Sequence, residues 1–394
     1  MANDKAHRSR KDEHRILLIT TGGTIAGNVA HNDDVEVLPD DAGIERDAEA
    51  FGRLIAETRT VLEEQIRKEI VITPYTRPGV EEPGLCDIDS SDVKPELWTD
   101  LSQVIYDEYD EYDSFIITHG TNTLGYTCAA LSFALANAGK PIVLTGSQVP
   151  AGLPGTDAVT NLENALRVAT WQPEQQDDVR MEGVMAVFGS FIITGTRVKK
   201  DTEFDYDAFK SFSVGSIGRI GRIIHIDETN LGKHRSYLRT GRYTKARKQR
   251  DLVLENKFDM NIASLTEFPG MNVAFFATLV ENCGVRGFIL RAFGAGDPAT
   301  TLRPAFEYLK TQQIPIVVTT QAPNGNSNFQ VNDPGRWLRE NDMAIPAYDM
   351  SIEAQTAKLG WLLAKKAKNE LSYERLCKDM VEDMRGEVNP IWEI

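Results

Sequence analysis

The chain has 394 residues, of which 41% are hydrophobic and 26% charged, and its formal net charge is −15 at pH 7. This length predicts two or three domains, and the acidic balance argues against nucleic acid as a general partner, because neutralising phosphates requires a basic face. No apolar run approaches the roughly 18 residues of a membrane span. The polar residues 1–14 lack the apolar core of a secretory signal, and four widely spaced cysteines without a CxxC pair indicate reduced thiols. We therefore expect a cytoplasmic protein with a flexible tail at residues 1–14.

Short apolar runs alternate with segments of helical spacing through the first half of the chain, which predicts a parallel α/β sheet. The predicted strands lie within residues 15–27 and at residues 70–72, 114–118, 141–146 and 185–193. The predicted helices cover residues 48–68, 95–109, 127–138 and 157–171. Ser91 is the expected N-cap of the second of these helices.

The alternation breaks down from about residue 221 to residue 269 and then resumes. The second set has predicted strands at residues 273–277, 287–291 and 314–319, and predicted helices at residues 300–311, 351–366 and 372–385. We expect two α/β domains. They are a larger N-terminal parallel-sheet (flavodoxin-like) domain at residues 15–222 and a smaller C-terminal Rossmann-like domain at residues 271–394, joined by a connector at residues 223–270. The Lys- and Arg-rich residues 233–250 favour a solvated connector over a binding patch.

Two predicted strands are each followed by a Gly-Thr pair, Gly23-Thr24 and Gly120-Thr121. Ligands bind at the carboxyl ends of parallel strands, and glycine-rich turns expose N–H groups that stabilise an oxyanion. A threonine hydroxyl is a weak nucleophile until a base activates it, and Lys200 suits that role if desolvation lowers its pKa. The set fits attack on a carboxamide, but structural Gly-Thr turns are common and remain the alternative. For His119 we favour a hydrogen-bonding role over a catalytic one.

Other catalytic signatures are missing from the sequence. It contains no phosphate-binding GxxxxGK[ST] loop, no GxGxxG after the first strand, no GxSxG elbow and no HExxH pair. The sequence therefore gives no reason to expect a nucleotide cofactor or a zinc site.

Residues 20–26 (TTGGTIA) and 119–123 (HGTNT) resemble the two signature motifs of the bacterial L-asparaginase/glutaminase family. The resemblance extends over about residues 15–390 and is closest to the cytoplasmic type I enzymes. Its further matches are residues 89–92, 145–148, 157–165, 195–200, 290–291, 294–296 and 349–359.

The resemblance implies catalytic roles for four residues. Thr24 matches the nucleophile that forms an acyl-enzyme with the side-chain amide carbon, Thr121 matches the second threonine, and Lys200 matches its lysine partner. Asn122 stands where the family has an aspartate that binds the α-ammonium of the substrate and stabilises the lysine. An asparagine there still accepts a hydrogen bond but brings no charge.

The resemblance also implies a substrate-binding set and an assembly. Ser90 matches the residue that holds the α-carboxylate of the substrate, Ser91 lies beside it, and the backbones of Gly23 and Thr121 would flank the oxyanion, with Gly120 next to them. Such enzymes are homodimers or dimers of dimers with sites near a subunit interface, and they use no metal or organic cofactor.

Two further departures from the family pattern concern activation and regulation. No tyrosine occurs between Thr24 and Asp41, where the family usually offers one near the nucleophile. Lys199 replaces the threonine of the type I enzymes that have an effector asparagine site, so the resemblance does not predict allostery here.

The leading hypothesis is hydrolysis of L-asparagine to L-aspartate and ammonia through an acyl-threonine intermediate. Asn122 leaves three explanations open: a natural substrate without a free α-ammonium, an introduced substitution that cripples turnover, or a weak asparaginase. One alternative is a catalytically silent paralogue that binds asparagine or aspartate as a sensor. Another is the amidase subunit of a tRNA-dependent amidotransferase.

Overall fold

The computed structural model describes residues 13–22, 58–81, 83–151, 153–172, 181–230, 252–323 and 325–389. Gly23, Thr24, almost all of the predicted tail and the basic residues 233–250 lie outside the described residues, as does the first half of the predicted helix at residues 48–68. No helix in the described part of the chain is long and apolar enough to cross a membrane.

An eight-stranded sheet forms the centre of the N-terminal domain. Its strands are β1 (Glu13–Thr20), β2 (Glu69–Pro74), β3 (Ser114–Thr118), β5 (Pro141–Thr145), β6 (Gly183–Phe188), β7 (Phe191–Thr194), β10 (Gly218–Ile220) and β11 (Ile224–Ile226). Their order is β11-β10-β7-β6-β5-β3-β1-β2, with neighbours parallel from β6 to β2 and antiparallel beyond β6. Two small ribbons pair β12 (Val253–Leu254) with β4 (Leu135–Ala136) and β8 (Val198–Lys200) with β9 (Phe209–Ser211).

Helices cover both faces of this sheet. They are α1 (residues 58–66), α2 (Pro95–Asp107), α3 (Leu124–Ala134) and α4 (Ala158–Ala169). Strand β3 is buried along its whole length between the two layers, which explains why its sequence is an unbroken apolar run. Thr20, Thr118 and Thr145 are paired at the carboxyl ends of β1, β3 and β5, so the loops that follow these strands leave from one edge of the sheet.

Two local predictions for this domain were wrong. The strand predicted at residues 185–193 is a hairpin of β6 and β7, because Gly189 (φ 54°) turns the chain where a Cβ would lie 2.1 Å from an Asp207 carboxylate oxygen. Ser91 is not the N-cap of α2; Lys94 holds that position and Pro95 sets the first turn. Ser91 instead lies in a short 3₁₀ helix, Ser90–Asp92, which the Asp89 side chain caps.

The C-terminal domain has a four-stranded parallel sheet in sequential order: β13 (Ile262–Thr266), β14 (Gly287–Ala292), β15 (Ile316–Thr320) and β16 (Ile345–Pro346). Its helices are α5 (Ala274–Cys283), α6 (Arg303–Thr311), α7 (Asp333–Glu340), α8 (Ile352–Ala367) and α9 (Tyr373–Val381). The prediction of two α/β domains is confirmed.

The strand predicted at residues 273–277 was wrong, because these residues belong to α5. The Asn272 side chain accepts a hydrogen bond from the N–H of Ala274 at the start of the helix, and Gly284 (φ 68°) ends it. A short apolar run does not distinguish a strand from a helix by periodicity, and here the local end signals favour the helix.

The two domains share a buried interface. Helix α8 packs on α3, where Phe133 stacks on Trp361 with ring centroids 5.8 Å apart. Helix α9 ends at Val381, earlier than predicted, and the chain then returns along the interface as a C-terminal strap, defined here as residues 382–389. The Lys358 ammonium of α8 and the Glu387 carboxylate of this strap form a fully buried ion pair, 2.5 Å apart.

Replacing Lys358 with methionine should strongly lower stability, because it leaves the buried Glu387 carboxylate without its cation, a loss that typically costs about 3–5 kcal/mol. The measurement is the midpoint of thermal or urea unfolding. Lys368→Met is the matched control, since Lys368 pairs with Glu370 across 4.0 Å and both side chains are 56% exposed. Equal shifts for the two variants would contradict the importance of the buried pair.

Candidate active site

The ribbon of β8 and β9 carries Lys200 to the loop that follows β3. Lys200 ends β8 and pairs with Phe209 of β9. Its Nζ donates to Thr121 Oγ1 at 2.8 Å and to Asn122 Oδ1 at 3.2 Å. Three of the predicted catalytic residues are therefore in direct contact, although Lys200 is 79 residues from Thr121 in the chain.

Ser90 and Ser91 bind the same loop from the other side. Ser90 Oγ accepts from the Asn122 N–H at 3.2 Å, and the Ser90 carbonyl accepts from the Thr123 hydroxyl at 2.6 Å. A Cβ at position 120 would lie 2.5 Å from Ser90 Oγ, so only glycine fits there without displacing the serine. The predicted binding residues Ser90, Ser91 and Gly120 thus lie beside Thr121 and Asn122.

Asn122 uses both ends of its side-chain amide within this cluster. Its Oδ1 accepts from the Lys200 ammonium, and its Nδ2 donates to Ser91 Oγ at 2.9 Å. An ammonium group only donates, so this orientation of the amide is the one that satisfies both neighbours. The position provides Lys200 with a hydrogen-bond acceptor but with no compensating negative charge.

The electrostatic setting of Lys200 suits a base. Burial lowers the pKa of Lys200, and the Glu203 carboxylate in the following loop only partly offsets that effect. A lysine with a lowered pKa is neutral in a larger fraction of molecules at neutral pH. In that form it can accept a proton from the Thr121 hydroxyl.

His119 fixes the loop from beneath. It is fully buried; its Nδ1 donates to the Gly120 carbonyl at 2.8 Å, and its Nε2 accepts from the Thr127 hydroxyl at 2.9 Å. The indole N–H of Trp98 donates to that same hydroxyl. Burial lowers the pKa of His119 to about 4, so the ring is neutral at pH 7. These contacts favour the hydrogen-bonding role that the sequence suggests.

The described end of β1 lies against the same cluster. Thr21 donates through its N–H and its hydroxyl to the Thr118 carbonyl, and its own carbonyl accepts from the Ile88 N–H. Gly22 (φ 89°) passes so close to Ile88 that a Cβ would lie 2.4 Å from its backbone nitrogen. The predicted nucleophile Thr24 and the predicted oxyanion residue Gly23 lie outside the described residues, so their placement stays a prediction.

Sequence reasoning did not predict the contacts that several groups make around this site. Glu203 lies in an irregular loop and Asp89 in a short turn, and neither follows a periodic pattern. Arg197 and Lys199 form ion pairs with residues more than 150 positions away, a distance at which the sequence carries no signal. Among the described residues, no group of three or more His, Cys, Asp or Glu side chains is arranged to hold a metal ion.

Comparison with known proteins identifies relatives of both domains. The family model "Asparaginase, N-terminal" matches residues 15–231, and the model "Glutaminase/Asparaginase C-terminal domain" matches residues 261–373. L-asparaginase 1 of Escherichia coli K12 is 32% identical over 305 residues, which cover 77% of this chain and 82% of the relative. A glutamyl-tRNA(Gln) amidotransferase subunit of Aeropyrum pernix is 30% identical over 384 residues, covering 96% of this chain and 80% of the relative.

A solved structure has a similar fold. The thermostable L-asparaginase from Thermococcus kodakarensis superposes with a TM-score of 0.71 and 27% sequence identity, over 95% of this chain and 99% of that one. The matches to both family models agree with this likeness. The chain belongs to the asparaginase family.

Proposed function

We propose that the protein hydrolyses the side-chain amide of L-asparagine, releasing ammonia and L-aspartate through an acyl intermediate on Thr24. The observation that carries this proposal is the contact of Lys200 with Thr121, made by a lysine whose pKa burial lowers. Family membership and the names of the L-asparaginase relatives support the substrate.

The first half of the reaction forms the acyl-enzyme. The Thr24 oxygen attacks the amide carbon while its proton passes through the Thr121 hydroxyl to neutral Lys200. The backbone N–H groups of Gly23 and Thr121 stabilise the resulting oxyanion, a contribution worth about 10²–10³-fold per donor in known enzymes. The C–N bond then breaks, and the proton from Lys200 goes to the leaving nitrogen, which departs as ammonia.

The second half returns the enzyme to its starting state. Water attacks the acyl carbon as its proton passes to Lys200 through Thr121. The bond from carbon to the Thr24 oxygen breaks, that oxygen takes the proton back, and aspartate leaves. In the net reaction, one amide and one water are consumed, and one carboxylic acid and one ammonia are formed.

One alternative reading remains within the same site. Asn122 provides no charge for an α-ammonium, so the protein can be a weak or silent asparaginase that acts on another amide or binds asparagine or aspartate as a sensor.

A second candidate function, the amidase subunit of a tRNA-dependent amidotransferase, is favoured by the 96% of this chain that aligns with the amidotransferase subunit of Aeropyrum pernix. Binding of tRNA at low salt would support this second candidate, and the net charge of −15 argues against it.

Thr24→Ala and Thr121→Val should each abolish most ammonia release from L-asparagine, because the first removes the nucleophile and the second removes the hydroxyl that passes its proton. A positioned proton-transfer group contributes about 10²–10⁴-fold, which sets the expected loss for Thr121→Val. Thr311→Val is the matched control, since the Thr311 hydroxyl donates to the Glu307 carbonyl within α6 of the C-terminal domain. Full activity in Thr121→Val would contradict the proposed role of Thr121.

Asn122→Asp should raise kcat/KM for L-asparagine by at least about 30-fold, because a carboxylate paired with the α-ammonium is worth about 2 kcal/mol or more. The same variant should give no gain on N-acetyl-L-asparagine, which lacks that charge. The comparison of the two substrates is the measurement. No gain on asparagine would indicate that the natural substrate is another amide.

The pH dependence of kcat/KM should show a limb on which activity increases with pH as Lys200 becomes neutral. Burial lowers the pKa of Lys200 and Glu203 raises it, so Glu203→Gln should move this limb to lower pH. Asp205→Asn, a neutralisation two residues away, serves as the control. A limb that moves to higher pH in Glu203→Gln would contradict the assignment of that limb to Lys200.

A further inference from the structure

Lys200 stands on a short strand that is anchored from behind by Arg197. Arg197 ends the 3₁₀ helix Gly195–Arg197, directly before β8. Its Nη1 donates to the Asp349 carbonyl at 2.8 Å and to Asp349 Oδ2 at 3.1 Å, and its Nε donates to the Gly386 carbonyl at 2.7 Å. One guanidinium therefore joins the Lys200 strand to the turn before α8 and to the C-terminal strap.

This anchor lies in the interior of the protein. The Arg197 and Asp349 side chains are 2% and 1% exposed. Asp349 is also held by Ser213, whose hydroxyl donates to Oδ2, and by the strap itself, since the Asn389 N–H donates to Oδ1. A planar guanidinium reaches three acceptors in fixed directions, whereas an ammonium on a flexible chain does not reproduce that geometry.

Neighbouring contacts restrict β8 on its other sides. Lys199, on the opposite face of the strand from Lys200, pairs with Glu353 in the first turn of α8 at 3.0 Å. The Thr196 hydroxyl donates to the Arg385 carbonyl in the strap. Helix α3 closes the remaining approach, because a Cβ at Gly125 would lie 3.0 Å from the Val198 carbonyl oxygen.

We propose that Arg197, held by Asp349 and the C-terminal strap, is the positioning residue that fixes Lys200 against Thr121. This inference rests on the proposed function for its consequence in catalysis, and on the contacts above for its geometry. Lys200 is three positions after Arg197, a span of about 10 Å in extended chain, so a shift of the guanidinium moves the lysine. A displacement of 1 Å at reacting groups costs about 10²-fold in rate.

Arg197→Lys tests the proposal, since it keeps the charge and removes the three-acceptor fork. We expect kcat for L-asparagine to fall by about 10–100-fold with KM nearly unchanged, because the substrate contacts stay in place while the proton-transfer geometry is lost. Arg286→Lys is the matched control, an arginine-to-lysine change in the ion pair with Asp259 at 2.9 Å, away from β8. Asp349→Asn keeps the shape of the Asp349 side chain and should also lower kcat with KM nearly unchanged. It is the deciding variant if Arg197→Lys does not fold.

A second readout follows Lys200 itself and does not need turnover. Competitive acetylation with acetic anhydride across pH, quantified by mass spectrometry, reports the pKa of the Lys200 amine. The groups that face it are Thr121 and Asn122 from the β3–α3 loop and Glu203 from its own loop. A loosened β8 exposes the amine to water, so its acetylation midpoint should move to higher pH in Arg197→Lys and stay in place in Arg286→Lys.

The two readouts separate the positioning role from the proposed function. A lowered melting temperature with unchanged kcat and unchanged Lys200 acetylation in Arg197→Lys means a structural role only and overturns the proposal. If the wild type releases no ammonia, the proposed function is wrong. If the acetylation midpoint of Lys200 still shifts in Arg197→Lys, the positioning of Lys200 by Arg197 remains supported.

Discussion

The hydrogen bond from Lys200 to Thr121 is the contact on which the rest of the site depends. It joins two segments that the sheet topology brings together: the loop after the central strand β3, and the ribbon that follows the antiparallel turn of β6 and β7. The loop after β3 is held within the N-terminal domain, whereas β8 is also held from the C-terminal side through the bonds of Arg197 to Asp349 and Gly386, so the geometry of the pair depends on both domains. The lowered pKa of Lys200 follows from its burial.

The contacts between Ser90 and Asn122 hold the loop on which Thr121 meets Lys200. The 3₁₀ turn that carries Ser90 and Ser91 bonds to the loop after β3 at three points, and glycine at position 120 lets the two segments meet. Beneath them, neutral His119 donates to the Gly120 carbonyl and accepts in turn from the Thr127 hydroxyl. The site is thus a polar cluster on an apolar sheet, with the neutral Asn122 side chain between Lys200 and Ser91.

Much of the fold follows from the sequence, because buried parallel strands are unbroken apolar runs such as residues 114–118 and 141–145. The hairpin at Gly189 and the helix that replaces the strand predicted at residues 273–277 did not, since both depend on local turn geometry that periodicity does not carry. The residues predicted for the site, from Ser90 to Lys200, do lie together in the described structure. Their grouping came from the resemblance, and the roles assigned to Thr24 and Gly23 stay predictions.

Long-range polar contacts were beyond the sequence for a physical reason. The bonds of Arg197 to Asp349 and Gly386 form between segments at least 152 residues apart. A single charged residue has no periodic pattern from which its partner could be predicted. Only the packing of α8 and the C-terminal strap against α3 brings them together. The placement of a lysine by distant chain segments is therefore visible only in the folded protein.

The most direct test of the account is to trap the acyl-enzyme. The protein is mixed with L-asparagine, quenched in acid within the first turnovers, digested and analysed by mass spectrometry. The account predicts an aspartyl ester on the peptide that contains Thr24, formed and lost at rates compatible with turnover and missing in Thr24→Ala. An ester on Thr121, or ammonia release with no covalent adduct on either threonine, would contradict it.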